Sequence, residues 1–133
     1  DQAINQKLSR GPISREENII YVIERLETEV NNGGYYQLFT NPSVEVVPFV
    51  VEALNEIGCP ITAGITKRAI AALGINGPLV SEEVTRVAEG RRGQIIHELE
   101  GCGDEYFDGE EPIADRLFDW IKRNRDKIKI GGS

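Results

Sequence analysis

The chain has 133 residues, 40% hydrophobic and 28% charged, with 22 acidic against 15 basic side chains and a formal net charge of −7. A chain of this length fits one domain that buries roughly two-thirds of the surface its unfolded form exposes, so it needs no disulfide or metal staple, and its composition is neither disordered nor fibrous. The acidic balance argues against direct binding to nucleic acid or to an anionic membrane, which Lys and Arg drive, and no apolar run approaches the roughly 18–20 residues of a bilayer span.

Residues 1–13, which include Gly11-Pro12, keep no sustained period and are expected to form an N-terminal arm. Ser14-Arg-Glu-Glu17 has the form of a capping box. Ile19, Ile23, Leu26 and Val30 follow on one helical face, and Asn31-Asn32-Gly33-Gly34 is expected to end that helix. Tyr35, Tyr36, Leu38 and Phe39 read as one or two further turns, stopped at Asn41-Pro42. Val44, Val46 and Val47 lean towards a strand; from Pro48 the spacing of Phe49, Val50, Ala53, Leu54 and Ile57 predicts a helix that Gly58 stops. Thr62 is a candidate cap for a helix through Leu73, with Gly74–Pro78 as its break. Ser81 opens the next, where Val84, Val87, Ile95 and Leu99 keep helical phase across Gly90 and Gly93, giving one kinked helix or two short ones. The last runs from Pro112 through Ile113, Leu117, Trp120 and Ile121, with Lys122, Arg123, Arg125, Lys127 and Lys129 at its favourable end. The expectation is an all-α fold, a compact single-domain bundle of five to seven helices over residues 14–130, followed by a flexible Gly-Gly-Ser tail at 131–133.

Catalytic and cofactor patterns are scarce. One histidine, His97, rules out two-histidine metal motifs, and its surroundings, Ile95-Ile96-His97-Glu98-Leu99, read as an amphipathic helix. Neither phosphate-binding glycine motif is present. Asp104 to Asp115 imitates a calcium loop only in part, because Tyr106 stands where a carboxylate or amide is required and Pro112 interrupts it. Cys59 and Cys102 fit no metal or redox spacing and read as reduced thiols near the core. No cofactor, no metal and no catalytic residue is expected, and a chain beginning Asp-Gln-Ala-Ile without a signal-peptide layout reads as cytoplasmic.

Charge is distributed unevenly. Glu98, Glu100, Asp104, Glu105, Asp108, Glu110, Glu111 and Asp115 fall within eighteen residues that hold no Lys or Arg. Such a segment either projects a field that attracts a basic protein partner, or serves solubility alone, or is neutralised by the basic end of the last helix.

Glu29 to Asn41, then Ala53-Leu-Asn-Glu-Ile-Gly58, Asp104-Glu-Tyr-Phe107 and Trp120-Ile-Lys-Arg-Asn124, in that order, resemble the bacterial DNA mimic protein 19-like domain family. The resemblance covers about residues 16–126 and implies an all-helical fold, a homodimer and, for the known member, a carboxylate surface that stands in for DNA phosphates on a DNA-binding repressor. Within the motif, Asn32, Gly33, Gly34, Tyr35, Tyr36, Gln37, Phe39 and Asn41 read mainly as structural: glycines that close a helix, aromatics that pack inward, and an Asn that caps or turns. The other reading of Tyr35, Tyr36 and Gln37 is a partner groove. The leading expectation is a non-enzymatic, acidic protein-binding domain. The alternatives are an immunity or antitoxin-like inhibitor of a toxin or nuclease, and a small-molecule or catalytic domain with a pocket near Tyr36 and His97.

Overall fold

The computed structural model describes residues 14–128, so the arm at 1–13 and the tail at 131–133 lie outside the described residues, as does Lys129. The chain forms α1 (Arg15–Thr40), a 3₁₀ segment (Pro42–Phe49), α2 (Val50–Glu56), α3 (Pro60–Ala72), α4 (Ser81–Gly90), α5 (Arg92–Asp108), α6 (Ile113–Arg123) and a 3₁₀ turn (Arg125–Lys127). Six α-helices and no strand among the described residues make this an all-α bundle.

Helix α1 is the hub, packing against the 3₁₀ segment, α2, α4 and α5. The capping box opens it: Glu17 N–H donates to Ser14 Oγ at 3.1 Å, and Ser14 N–H donates back to the Glu17 carboxylate at 2.9 Å. Ile19, Ile23, Leu26 and Val30 are wholly buried, the stripe their spacing predicts, and Val22 joins them. The glycines at 33 and 34 do not end the helix but bend it. Gly33 (φ −156°) and Gly34 (φ 72°, ψ −169°) leave helical geometry, and the chain re-enters it for Tyr35 to Thr40. A buried carboxylate holds the bend closed, since Glu29 accepts from Gln37 Nε2 at 2.8 Å and from Asn41 Nδ2 at 2.9 Å.

The strand tendency of Val44, Val46 and Val47 is overridden. Pro42 and Pro48 both lie within the 3₁₀ segment and lack the N–H that a ladder needs, while burial of all three valines is met by helical turns. The α-helix therefore starts at Val50, two residues after the predicted Pro48. Gly58 (φ 87°) ends α2 with the paired bonds of a Schellman turn, Cys59 N–H to Leu54 O and Gly58 N–H to Asn55 O.

Thr62 is not the cap of α3. The helix begins at Pro60, and Thr62 stands in its first turn, giving both its N–H and its hydroxyl to one Glu111 oxygen at 2.7 Å while Ile61 N–H donates to the other at 2.8 Å. Proline fixes the first helical position, and a carboxylate from the connector after α5 caps the end. Arg116 of α6 donates to Gly58 O beside it. At the opposite end, Arg91 donates to Leu73 O at 2.7 Å. The same Arg91 separates α4 from α5, so the long helical phase resolves into two helices.

The two limbs of α1, α3 and α5 meet around Tyr35. Its hydroxyl bonds Thr66 Oγ1 at 2.8 Å, and its ring stands edge-on to Tyr106 of α5 with centroids 6.1 Å apart. Helix α6 closes the core with Ile113, Leu117 and Trp120, the last reaching Glu56 at 3.4 Å. Cys59 and Cys102 are both buried free thiols, pushed up by burial, Cys59 to about 11.

Three substitutions test this account. Gly34 occupies a region of backbone space that side chains barely reach, so Gly34→Ala should cost about 1–3 kcal/mol in urea unfolding. Gly33→Ala should destabilise as well, because its added carbon would lie 2.1 Å from Gln37 Oε1 and 2.9 Å from Gln37 Cβ and would push Gln37 away from Glu29. Glu111→Ala should cost roughly 1 kcal/mol as a lost cap. Burial pushes the Glu111 carboxyl up, but the Thr62 hydroxyl, the two backbone donors and Arg116 outweigh it and hold the group below its ordinary 4.5. Its contribution is complete above that pH and is lost as pH falls further, so wild type and Glu111→Ala should converge in stability in acid.

Candidate functional site: a carboxylate face and the cleft beside it

Five of the eight acidic residues singled out in the sequence lie on α5, whose inward face is Ile95, Leu99, Cys102, Gly103 and Tyr106. With 3.6 residues per turn, Glu100, Asp104 and Asp108 fall one turn apart along the opposite, outward side. Glu98 and Glu105 flank this row on the side towards α3, where Arg68 lies. Glu110 is exposed in the connector, and Asp115 is exposed in the first turn of α6.

The structure divides the eight by partner. Glu111 is committed to α3, and Glu105 is gripped by both terminal nitrogens of Arg68, one at 2.9 Å, a hydrogen-bonded pairing that holds its carboxyl below the usual carboxylate range. The other six, Glu98, Glu100, Asp104, Asp108, Glu110 and Asp115, make no ion pair with a Lys or Arg among the described residues. Neither Arg123 nor Arg125 neutralises them, and Lys122 bonds Asp119 instead, at 3.6 Å. Glu100 has a 3.7 Å contact with His97.

The location of these charges on α5 runs against the helix's own field. Asp104, Glu105 and Asp108 occupy its last turns, where the macrodipole is negative, and no basic residue stands in the last turn. Helix α6 ends on Lys122 and Arg123, and α1 and α4 begin with Glu16-Glu17 and Glu82-Glu83, all in the favourable sense.

Between the bend of α1 and the flank of α5 lies a cleft of about 270 Å³. Gly33, Gly34 and Tyr36 form one wall; Arg92, Ile96, Glu100, Asp104 and Phe107, each three or four residues beyond the last, run along the other, with Gly103 between them. The Arg92 guanidinium sits 5.1 Å from the centre of the Tyr36 ring. Phe107, 55% exposed, meets Tyr106 edge-on at 5.5 Å.

Of the motif residues, Tyr35 and Phe39 are core, and Gln37 and Asn41 serve Glu29. Asn32 is exposed just before the bend, and Tyr36 is half-buried at the cleft. The pocket near Tyr36 therefore exists without His97, whose side chain is 94% exposed and does not line it. The calcium-like segment starts inside α5, and no cluster of three or more metal-ligating side chains occurs among the described residues. Phe107 enters the sequence reading only as the end of Asp104-Glu-Tyr-Phe107, and Arg92 and Gly103 carry no motif. Their only sequence signal is the step of three or four residues that puts them on one flank once α5 is known to start after Arg91.

No helix among the described residues is long and apolar enough to cross a membrane. No curated protein and no solved structure matches the chain. A family model described as DMP19-like protein matches residues 11–124, from before the capping box of α1 to the end of α6. With most of its length matched in this way, the chain belongs to the DMP19-like protein family.

Proposed function

We propose that this chain is a non-enzymatic binding protein that presents the outward carboxylates of α5 and the following connector to a basic protein, occupying the surface on which that protein would hold DNA. The observation that carries the reading is the row Glu100, Asp104 and Asp108, exposed, without a Lys or Arg partner among the described residues, and running from the middle of their helix to its negative end. Such placement is unfavourable to the isolated fold. A fold that keeps charge where it weakens α5, while ending α6 on Lys122 and Arg123, is consistent with a role for that charge outside the subunit. Membership of the DMP19-like family supports the same reading. Catalysis has less support, because the only histidine points to solvent away from the cleft.

Charge reversal belongs at Asp104, Asp108 and Glu110, because reversing Glu105 or Glu111 would also break the Arg68 pair or uncap α3. The immobilised chain should capture a DNA-binding protein from native extract at 50 mM salt, release it as salt rises towards 0.5 M, and displace DNA from it in a competition assay. The Asp104→Lys/Asp108→Lys/Glu110→Lys variant should associate at least about tenfold more slowly. A partner held equally by the variant, or unmoved by 0.5 M salt, would remove this face from the function. The neutral variant Asp104→Asn/Asp108→Asn should bind less well yet melt about 1–3 °C higher, as relief of the dipole conflict requires.

A further inference from the structure

We infer that the half of the cleft bounded by Glu100, Gly103, Asp104 and Phe107 is a seat for an arginine side chain of the basic partner. The inference rests on the proposed function and adds the point at which a partner engages most closely.

Three features of the cleft converge on a guanidinium. First, Glu100 and Asp104 stand one turn apart, a like-charge pair that weakens a helix unless a cation comes between them. Second, the cleft already stacks one guanidinium on an aromatic ring, with Arg92 5.1 Å from the centre of Tyr36. At the other end Phe107 is 55% exposed, and no cation stands over its ring among the described residues. Third, Gly103 leaves room between the carboxylates and the ring, since a Cβ built there meets no atom within 4 Å. The site also lies near the C-terminal end of α5, whose dipole favours positive charge. Arginine fits better than lysine because its plane can stack on Phe107 while its fork reaches two carboxylates, whereas an ammonium is a compact, strongly hydrated point charge.

The glycine also supplies a test that leaves every charge in place. Fluorescein-labelled hexa-arginine and hexa-lysine serve as probes at 20 mM salt, read by polarisation and by ¹H–¹⁵N correlation spectra. Wild type should prefer hexa-arginine by about two- to fivefold, the ratio expected of one exposed cation–π contact. The Gly33, Gly34 and Gly103 amides should shift with hexa-arginine more than with hexa-lysine. Gly103→Leu, which fills the cleft, should abolish the preference while both peptides still bind. Phe107→Ala, a change at an exposed ring, should do the same if Gly103→Leu fails to fold. Equal affinity of wild type for the two peptides, or a preference that survives both variants, overturns the arginine seat and leaves the acidic face standing. Failure of both peptides to bind wild type at low salt overturns the seat and the acidic face together. Sedimentation showing a dimer that Gly103→Leu dissociates would give the cleft to a second copy and overturn the seat as well.

Discussion

The buried carboxylate of Glu29 is the constraint on which the site depends. A charge removed from water is costly unless donors replace the lost hydration, and here Gln37 and Asn41 bring theirs from the far limb of the same helix. The bond geometry requires that limb to come back towards Glu29, and only the glycine pair allows it: Gly34 supplies the backbone angles, and Gly33 leaves space into which Gln37 folds. Bending α1 at that point turns Tyr35 inward to Thr66 and Tyr106, while its neighbour Tyr36 faces the cleft. One buried acid thus sets the position of α1 against α3 and α5 and gives the cleft its second wall.

Acidic residues do three different jobs in this chain, and burial and partners tell them apart. Glu29 is interior and structural; Glu111 lies at the edge and replaces a missing cap on α3; Glu100, Asp104 and Asp108 lie outside with no structural task visible among the described residues. Net charge alone gives solubility and a diffuse field. The ordering of that charge on α5 against its dipole is the feature composition does not explain. Its contrast with α6, where Lys122 and Arg123 sit as the dipole prefers, comes from within the same molecule.

Local rules made much of the fold legible. The capping box at Ser14, the stripe from Ile19 to Val30, the stop at Gly58 and the proline before α6 each depend on neighbours a few residues away, and each is found where the spacing puts it. The misreadings involve partners distant in sequence. Thr62 has the chemistry of a cap, but Pro60 starts the helix earlier and its cap is a carboxylate 49 residues further on. Gly33-Gly34 looks like a terminus because no local rule shows that Glu29 will hold the next limb in place. Val44, Val46 and Val47 favour extended chain locally, but no strand among the described residues is there to pair with them, and burial is achieved through 3₁₀ turns that hold Pro42 and Pro48 and lead into α2. The acidic run was plain as composition; which members face outward became visible only with the helical phase of α5 and the partners Arg68 and Thr62.

Charge density limits what α5 can imitate. From Glu98 to Asp108 is ten residue steps, about 15 Å of helix, carrying five carboxylates, or one per roughly 3 Å. One strand of a duplex presents a phosphate every 3.4 Å of axis, and the two strands together present one every 1.7 Å. Pairing of Glu105 with Arg68 lowers the free density to four, about one per 4 Å, close to one strand and well short of two. On the proposed reading, α5 therefore suits a partner that follows one backbone with a row of basic side chains. A partner that clasps both strands needs a second row, which α5 alone does not carry. The motif around Glu29 fixes the scaffold and the outward positions of α5 carry the charge, so members of one fold family can share the first and differ in the second.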